Sequence, residues 1–214
     1  MNKKLTLPQT TIITLFCIMM ILAIFNMPQL GIFSIGVSAL FVVIATLSDS
    51  KGIFISIAMV ILGLVLFIKP IYIFDICLNF IIPGIIIGMI TKNVLNHRED
   101  NKYNPIFMGT IAFIIGLIAN YLISKYLFNI NILEEFTSVM KTQLSTQISA
   151  IQESVSSLAS VSNITEESII QTVLNIMPLI LFSRSIMLSI LTYFLAIYTL
   201  KKIRKNDLKE KLMQ

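Results

Sequence analysis

The sequence contains few charged residues. Asp, Glu, Lys and Arg make up 13% of its 214 residues, whereas hydrophobic residues make up 56%. Soluble globular domains carry roughly 25% charged residues. This shortage of charge excludes an ordinary water-soluble domain. It predicts instead a chain whose partner is the lipid bilayer.

Residues typical of redox, metal and catalytic sites are also scarce. The two cysteines, Cys17 and Cys77, lie in separate apolar blocks, and the one histidine, His97, lies in a hydrophilic loop. The sequence has no CxxC, HExxH or GxSxG motif and no glycine-rich phosphate loop. The net charge of +5 comes from basic residues near the ends of apolar blocks, which does not indicate nucleic acid binding. We therefore expect no metal, no cofactor, no nucleic acid partner and no enzymatic activity.

Six apolar blocks are long enough, or nearly so, to cross a hydrocarbon layer of roughly 30 Å, which takes about 17–25 helical residues. They are 11–25, 30–47, 52–68, 71–90, 106–128 and 170–200. The first block lacks the small-x-small cleavage pattern of a signal peptide, so we interpret it as a retained span. The sequence thus predicts a single membrane domain, 1–214. Its fold class is all-α, an integral membrane bundle of six transmembrane helices with an extracytoplasmic amphipathic helix between the fifth and sixth.

The basic residues predict the orientation of the chain. With both termini in the cytoplasm, twelve of the sixteen basic residues fall on the inner side, as the positive-inside rule requires. Three fall outside, namely Lys69, Lys125 and Lys141, and Arg184 falls within a span. We therefore predict a multi-pass protein of the cell membrane with a basic cytoplasmic tail, 201–214.

The outer connection, 129–168, has an amphipathic pattern. Its apolar residues recur every three or four positions, the period of a helix with one apolar face. They are Phe136, Met140, Leu144, Ile148, Ile151, Val155 and Leu158. This helix either rests on the bilayer surface or covers the outer mouth of the bundle. Asn163 or Thr165 is the expected cap of the following helix.

Four polar residues are predicted to meet at one depth in the membrane. A guanidinium in hydrocarbon costs a few kcal/mol and usually faces a bundle interior or a wet cavity, so Arg184 is the most informative of them. At 1.5 Å per helical residue, Arg184 and Asp75 both lie about 24 Å from the inner boundaries of their spans, and Asn120 lies about 22 Å from its own. Asn79 is one helical turn from Asp75 on the same face.

The simplest arrangement of these residues is an Asp75–Arg184 ion pair whose remaining hydrogen-bonding groups are satisfied by Asn79 and Asn120. Two interpretations remain open. The pair either only fixes the packing of the fourth and sixth spans, or Arg184 binds an anionic or carbonyl group of a small molecule that enters from the outer side, with Asp75 and the two asparagines completing the site.

The order of features resembles a family of bacterial membrane proteins. The stretch Asn129-Ile-Asn-Ile-Leu-Glu-Glu-Phe136, the amphipathic segment after it, and a last span ending in Lys201-Lys-Ile-Arg204 look like the YybS-like predicted membrane proteins, a family of unknown function. Its six-helix layout is similar to that of the substrate-binding S components of energy-coupling factor transporters. The resemblance implies small-molecule binding or transport, with a possible membrane protein partner. The alternative is a membrane scaffold or regulatory protein whose polar cluster is structural.

Overall fold

The structure, a computed structural model, describes residues 5–96, 101–154 and 166–212. The regular elements in these residues are helices. We number them α1 (Leu7–Asn26), α2 (Ser34–Leu47, preceded by a 3-10 segment, Pro28–Phe33), α3 (Ser50–Val65), α4 (Pro70–Asn96), α5 (Asn104–Leu127), α6 (Ile132–Ser154) and α7 (Glu166–Leu212). The His97 loop and the expected caps Asn163 and Thr165 lie outside the described residues.

The all-helical class is confirmed for the described part of the chain, and five of its helices are long and apolar enough to cross a membrane. These five are α1, α2 together with most of the 3-10 segment before it (Gln29–Leu47), α4, α5 and α7. The sixth apolar helix, α3, has 16 residues and would extend about 24 Å. All six coincide with the six apolar blocks of the sequence. The count of six spans stays a prediction because α3 is shorter than the usual span.

The chain divides into two compact units. The first contains Met1–Asn120 and Arg184–Gln214, and the second contains Tyr121–Ser183. All four residues of the predicted polar cluster belong to the first unit. The assignment of 1–214 to a single membrane domain stays a prediction.

Helices α2 and α4 of the first unit run parallel and in close contact. A Cβ added to Gly84 would lie 2.6 Å from the Ser38 carbonyl oxygen, and one added to Gly88 would be equally close to the backbone of α2. At the far end of α2, Lys92 Nζ donates to the Ser48 carbonyl oxygen at 2.7 Å. The small residues allow the two backbones to approach, as they commonly do in membrane helices.

Helices α1 and α3 are also parallel, and hydroxyl groups join them. Thr14 Oγ1 donates to Ser56 Oγ at 3.0 Å, and both side chains are fully buried. One turn further along α1 and two turns further along α3, the Ile18 side chain packs against Gly63. Each contact lies later in both helices than the one before, which fixes their common direction.

The remaining neighbours in the first unit are antiparallel. The Leu5 N–H donates to the Leu47 carbonyl oxygen at 3.0 Å, which places the start of α1 beside the end of α2. In α7, Ser189 Oγ donates to the Ile106 carbonyl oxygen in α5 at 2.7 Å. Tyr193, one turn later in α7, reaches the carbonyl oxygen of Lys102, just before α5. These helices therefore alternate in direction along the chain.

In the second unit, α6 agrees with the amphipathic pattern of the outer connection. Its first turn carries Glu134 and Glu135, which suits the positive end of the helix dipole. Asn131 Nδ2 donates to Glu134 Oε1 at 2.7 Å beside this turn. The last residues of the pattern, Val155 and Leu158, lie outside the part of the chain that the structure describes. The side of the membrane on which α6 lies stays a prediction.

Candidate functional site

Asp75 and Asn79 form the part of the candidate site that belongs to α4. They are one helical turn apart, and Asn79 Nδ2 donates to Asp75 Oδ1 at 2.6 Å. Asn79 is 6% exposed and Asp75 is half-buried. The spacing of four residues predicted this pairing on a shared helix face, and the structure brings the two side chains together.

The backbone of α4 widens where these residues lie. Cys77–Ile81 is a π-helical segment, and such segments are rare and often occur at functional sites. Pro83 gives a physical reason, because its ring would collide with the Asn79 carbonyl of a regular α-helix and it lacks an N–H donor. Ser38 in α2 compensates in part, since its Oγ donates to the Phe80 carbonyl oxygen at 2.8 Å.

Asn120 joins the cluster from α5. Its Nδ2 donates to Asp75 Oδ1 at 2.7 Å, so the same carboxylate oxygen accepts from two amides. One turn earlier in α5, Gly116 lies against the Leu78 carbonyl of the π segment, so closely that a Cβ there would overlap the oxygen. The small residue brings α5 near enough for Asn120 to reach Asp75. The expectation that these residues lie at the same depth therefore agrees with their contact.

Arg184 lies near the carboxylate without binding it directly. It is close enough for its charge to act on Asp75, but the structure contains no direct ion pair between these two described residues. Its neighbour Ser185 is fully buried, whereas Arg184 is on the exposed side of α7. The structure thus differs from the expected ion pair, because the two asparagines rather than the guanidinium bind Asp75.

One hydrogen-bonding atom of the cluster has no partner. Asn79 Oδ1 is buried and accepts no hydrogen bond from the residues that the structure describes. A buried acceptor without a donor costs about 1–3 kcal/mol. Asp75 Oδ1 thus accepts two hydrogen bonds, whereas Asn79 Oδ1 accepts none from the described residues.

Comparison with known proteins places this chain in a family. The family model described as "Predicted membrane protein (DUF2232)" matches residues 14–211. The chain belongs to this family. As the description states, DUF2232 is a family of predicted membrane proteins, which agrees with the apolar helices of the structure. Among curated proteins and among solved structures, no protein matches the chain.

The match covers all four residues of the candidate site in this DUF2232 protein. Sequence reasoning identified these residues but missed the π segment and the hydroxyl of Ser38. Pro83, placed four residues after Asn79, is the signal that could have indicated the π segment. Asn79 and Asn120 both donate to Asp75, whereas Arg184 acts on Asp75 only through its charge.

A separate cavity of about 530 Å³ occurs in the second unit of this DUF2232 protein. Its lining comes from α6 and the first part of α7, and includes Lys141, Glu167 and Gln171. None of the four candidate residues lines it. In the described residues, no group of three His, Cys, Asp or Glu side chains could hold a metal ion. The carboxylate, the two amides and the guanidinium of the polar cluster can form hydrogen bonds and charge pairs.

Proposed function

We propose that this protein binds, and with a membrane partner transports, a small polar molecule in the manner of an S component. Under this proposal Arg184, Asp75, Asn79 and Asn120 contact the ligand, and the protein is not an enzyme. The closer resemblance to YybS-like proteins and to the S-component layout is part of the proposal. Because the chain has no ATP-binding motif, active transport would require a separate motor or an ion gradient.

Six membrane spans are part of the same proposal. The directions of α1 to α5 and α7 alternate along the chain, which supports a crossing by α3 despite its 16 residues. Alternation over six helices supports the proposal that both termini lie on one side, and the distribution of basic residues favours the cytoplasm for that side. The amphipathic helix α6 then lies on the extracytoplasmic side of the cell membrane.

The unpaired acceptor at Asn79 carries the proposal. Evolution rarely leaves a buried polar atom unsatisfied unless it serves a function or binds something, because each one destabilises the fold. Here the atom belongs to a π-helical segment and to a residue that binds Asp75. Asp75 and Arg184 are both charged residues that lie deep in apolar spans. A ligand with hydrogen-bond donors would satisfy Asn79 Oδ1 on binding.

Arg184 gives further support. Insertion scales assign about 2.5–3.5 kcal/mol to an arginine at the centre of a membrane helix, and such residues commonly mark substrate pathways. A bound ligand that accepts hydrogen bonds from its guanidinium would offset this cost. If Arg184 had no such role, an apolar residue at this position would avoid the insertion cost without loss of function.

The test is the thermal stability of the purified, detergent-solubilised full chain in the presence of vitamins, metabolites and anions. A ligand present at 100 times its Kd stabilises the folded state by about 2.7 kcal/mol, so the melting temperature should rise. We expect the rise to be much smaller in Arg184→Gln. The matched control is Lys69→Gln, which removes an exposed cation from the same unit and should leave the rise unchanged. Absence of any rise in the wild-type protein would contradict the proposal.

A membrane scaffold or regulatory protein is the second candidate. The observation that favours it is the hydrogen bond from Asn120 to Asp75, which joins α5 to α4 whether or not a ligand binds. In such a protein, Asp75→Asn combined with Arg184→Gln removes both charges together, and should change stability little. In a binding protein the same double variant should fold and lose the ligand. In a scaffold or regulatory protein, the basic tail would contact anionic lipid or a partner.

A further inference from the structure

Two oxygen atoms of the candidate site accept no hydrogen bond from the residues that the structure describes. Both amide donors of the cluster bind Asp75 Oδ1, and no described residue donates a hydrogen bond to Oδ2. Asn79 Oδ1 is buried and equally without a donor. One carboxylate oxygen and one amide oxygen, one helical turn apart, are therefore available to a group with several N–H donors. An ammonium group has three such donors and carries the charge that Asp75 attracts.

Arg184 supplies hydrogen-bond donors that have no acceptor among the described residues. Its guanidinium carries five N–H donors in a planar fork, and it donates to none of the residues that the structure describes. It is exposed on an apolar span in the same unit as Asp75. A carboxylate is the group that fits this fork, because it accepts two parallel hydrogen bonds.

No ligand with a single charge suits both sides. A lone cation at Asp75 would be repelled by Arg184, and a lone anion at Arg184 would be repelled by Asp75. Since the two side chains together are neutral, a ligand that is neutral overall adds no net charge to the membrane interior, where unbalanced charge is costly.

We propose that the ligand is a small zwitterion with an ammonium and a carboxylate group, as in a free amino acid. Its ammonium group binds Asp75 and Asn79, and its carboxylate binds Arg184. This inference rests on the proposed function and assigns the substrate class to the same site. The ligand then occupies the position between Asp75 and Arg184.

The experiment separates the two ends of the ligand. The full chain in detergent is first heated with each of the standard amino acids, and the affinity of any that stabilise it is then measured by calorimetry. For each binder, the N-acetyl derivative lacks the ammonium group and the carboxamide lacks the carboxylate. Each derivative should bind the wild-type protein about 10- to 100-fold more weakly, the effect of losing one charge-assisted hydrogen bond.

The two variants should abolish these preferences separately. In Arg184→Gln, the preference for the carboxylate over the carboxamide should disappear while that for the ammonium group remains. Asp75→Asn should have the opposite effect. The control Lys69→Gln should keep both preferences. If Asp75→Asn fails to fold, Arg184→Gln decides the question, because its side chain is exposed and does not support the packing.

Three results would overturn the inference. If vitamins or other metabolites stabilise the protein and no amino acid does, the proposed binding function stands and the zwitterion is wrong. If an amino acid binds but both preferences persist in both variants, the ligand lies elsewhere. If no compound of either panel binds, the proposed function fails together with the inference.

Discussion

At the scale of single residues, the candidate site depends on how closely α5 approaches α4. Gly116 is in contact with the π segment of α4, where a Cβ would overlap the Leu78 carbonyl oxygen and lie 3.8 Å from the Asn79 Cα. The neighbouring atoms are backbone, so they cannot move aside as a flexible side chain would. The position therefore requires glycine for reasons of space and not of backbone conformation.

We predict that Gly116→Ala destabilises the protein by about 1–3 kcal/mol, the usual cost of overpacking. The added methyl group should push α5 away from α4 and lengthen the hydrogen bond from Asn120 to Asp75. The measurement is the melting temperature in detergent. Gly31→Ala is the matched control, because nothing lies within 4 Å of a Cβ at that position. Equal melting temperatures for the two variants would contradict the close packing at Gly116.

At the scale of elements, the sequence was most informative about the helices and least informative about their irregularities. Apolar blocks predict six of the helices because a membrane requires long, uninterrupted hydrophobic runs. Counting residues along each span also placed Asp75 and Asn120 at similar depths. A count assumes a regular helix, however, and cannot anticipate the π segment or the side to which Arg184 points. Those depend on Pro83 and on packing between helices.

Removing one residue from the π segment tests its role. Deletion of Cys77 should remove the extra residue of the π segment and rotate Asp75 by about 100° relative to the segment that carries Pro83, although the ring of Pro83 would still distort the helix locally. The hydrogen bonds to Asp75 from Asn79 and Asn120 would then be lost, at about 1–3 kcal/mol for each group left unsatisfied. The readout is the melting temperature, with Cys77→Ala as the control of unchanged length. A deletion variant as stable as Cys77→Ala would show that the π segment does not position Asp75.

At the scale of the whole molecule, the short helix α3 decides the topology. Its parallel contact with α1 supports a crossing, and a crossing gives six spans with both termini on one side. A helix of about 24 Å can still cross if the bilayer thins or flanking residues reach the interface, each at modest cost. If α3 instead remained on one side, every later loop would exchange sides and the basic residues would no longer collect in the cytoplasm.

Labelling of single cysteines in intact cells distinguishes these topologies. In a background without Cys17 and Cys77, we expect Lys69→Cys and Lys141→Cys to react with a membrane-impermeant maleimide from outside. Lys51→Cys and Lys201→Cys should react only after the membrane is permeabilised. All four lysines are exposed, so access depends on the side of the membrane and not on packing. If Lys51→Cys and Lys69→Cys were labelled from the same side, α3 would not cross, the six-span topology would be wrong, and the two termini would lie on opposite sides.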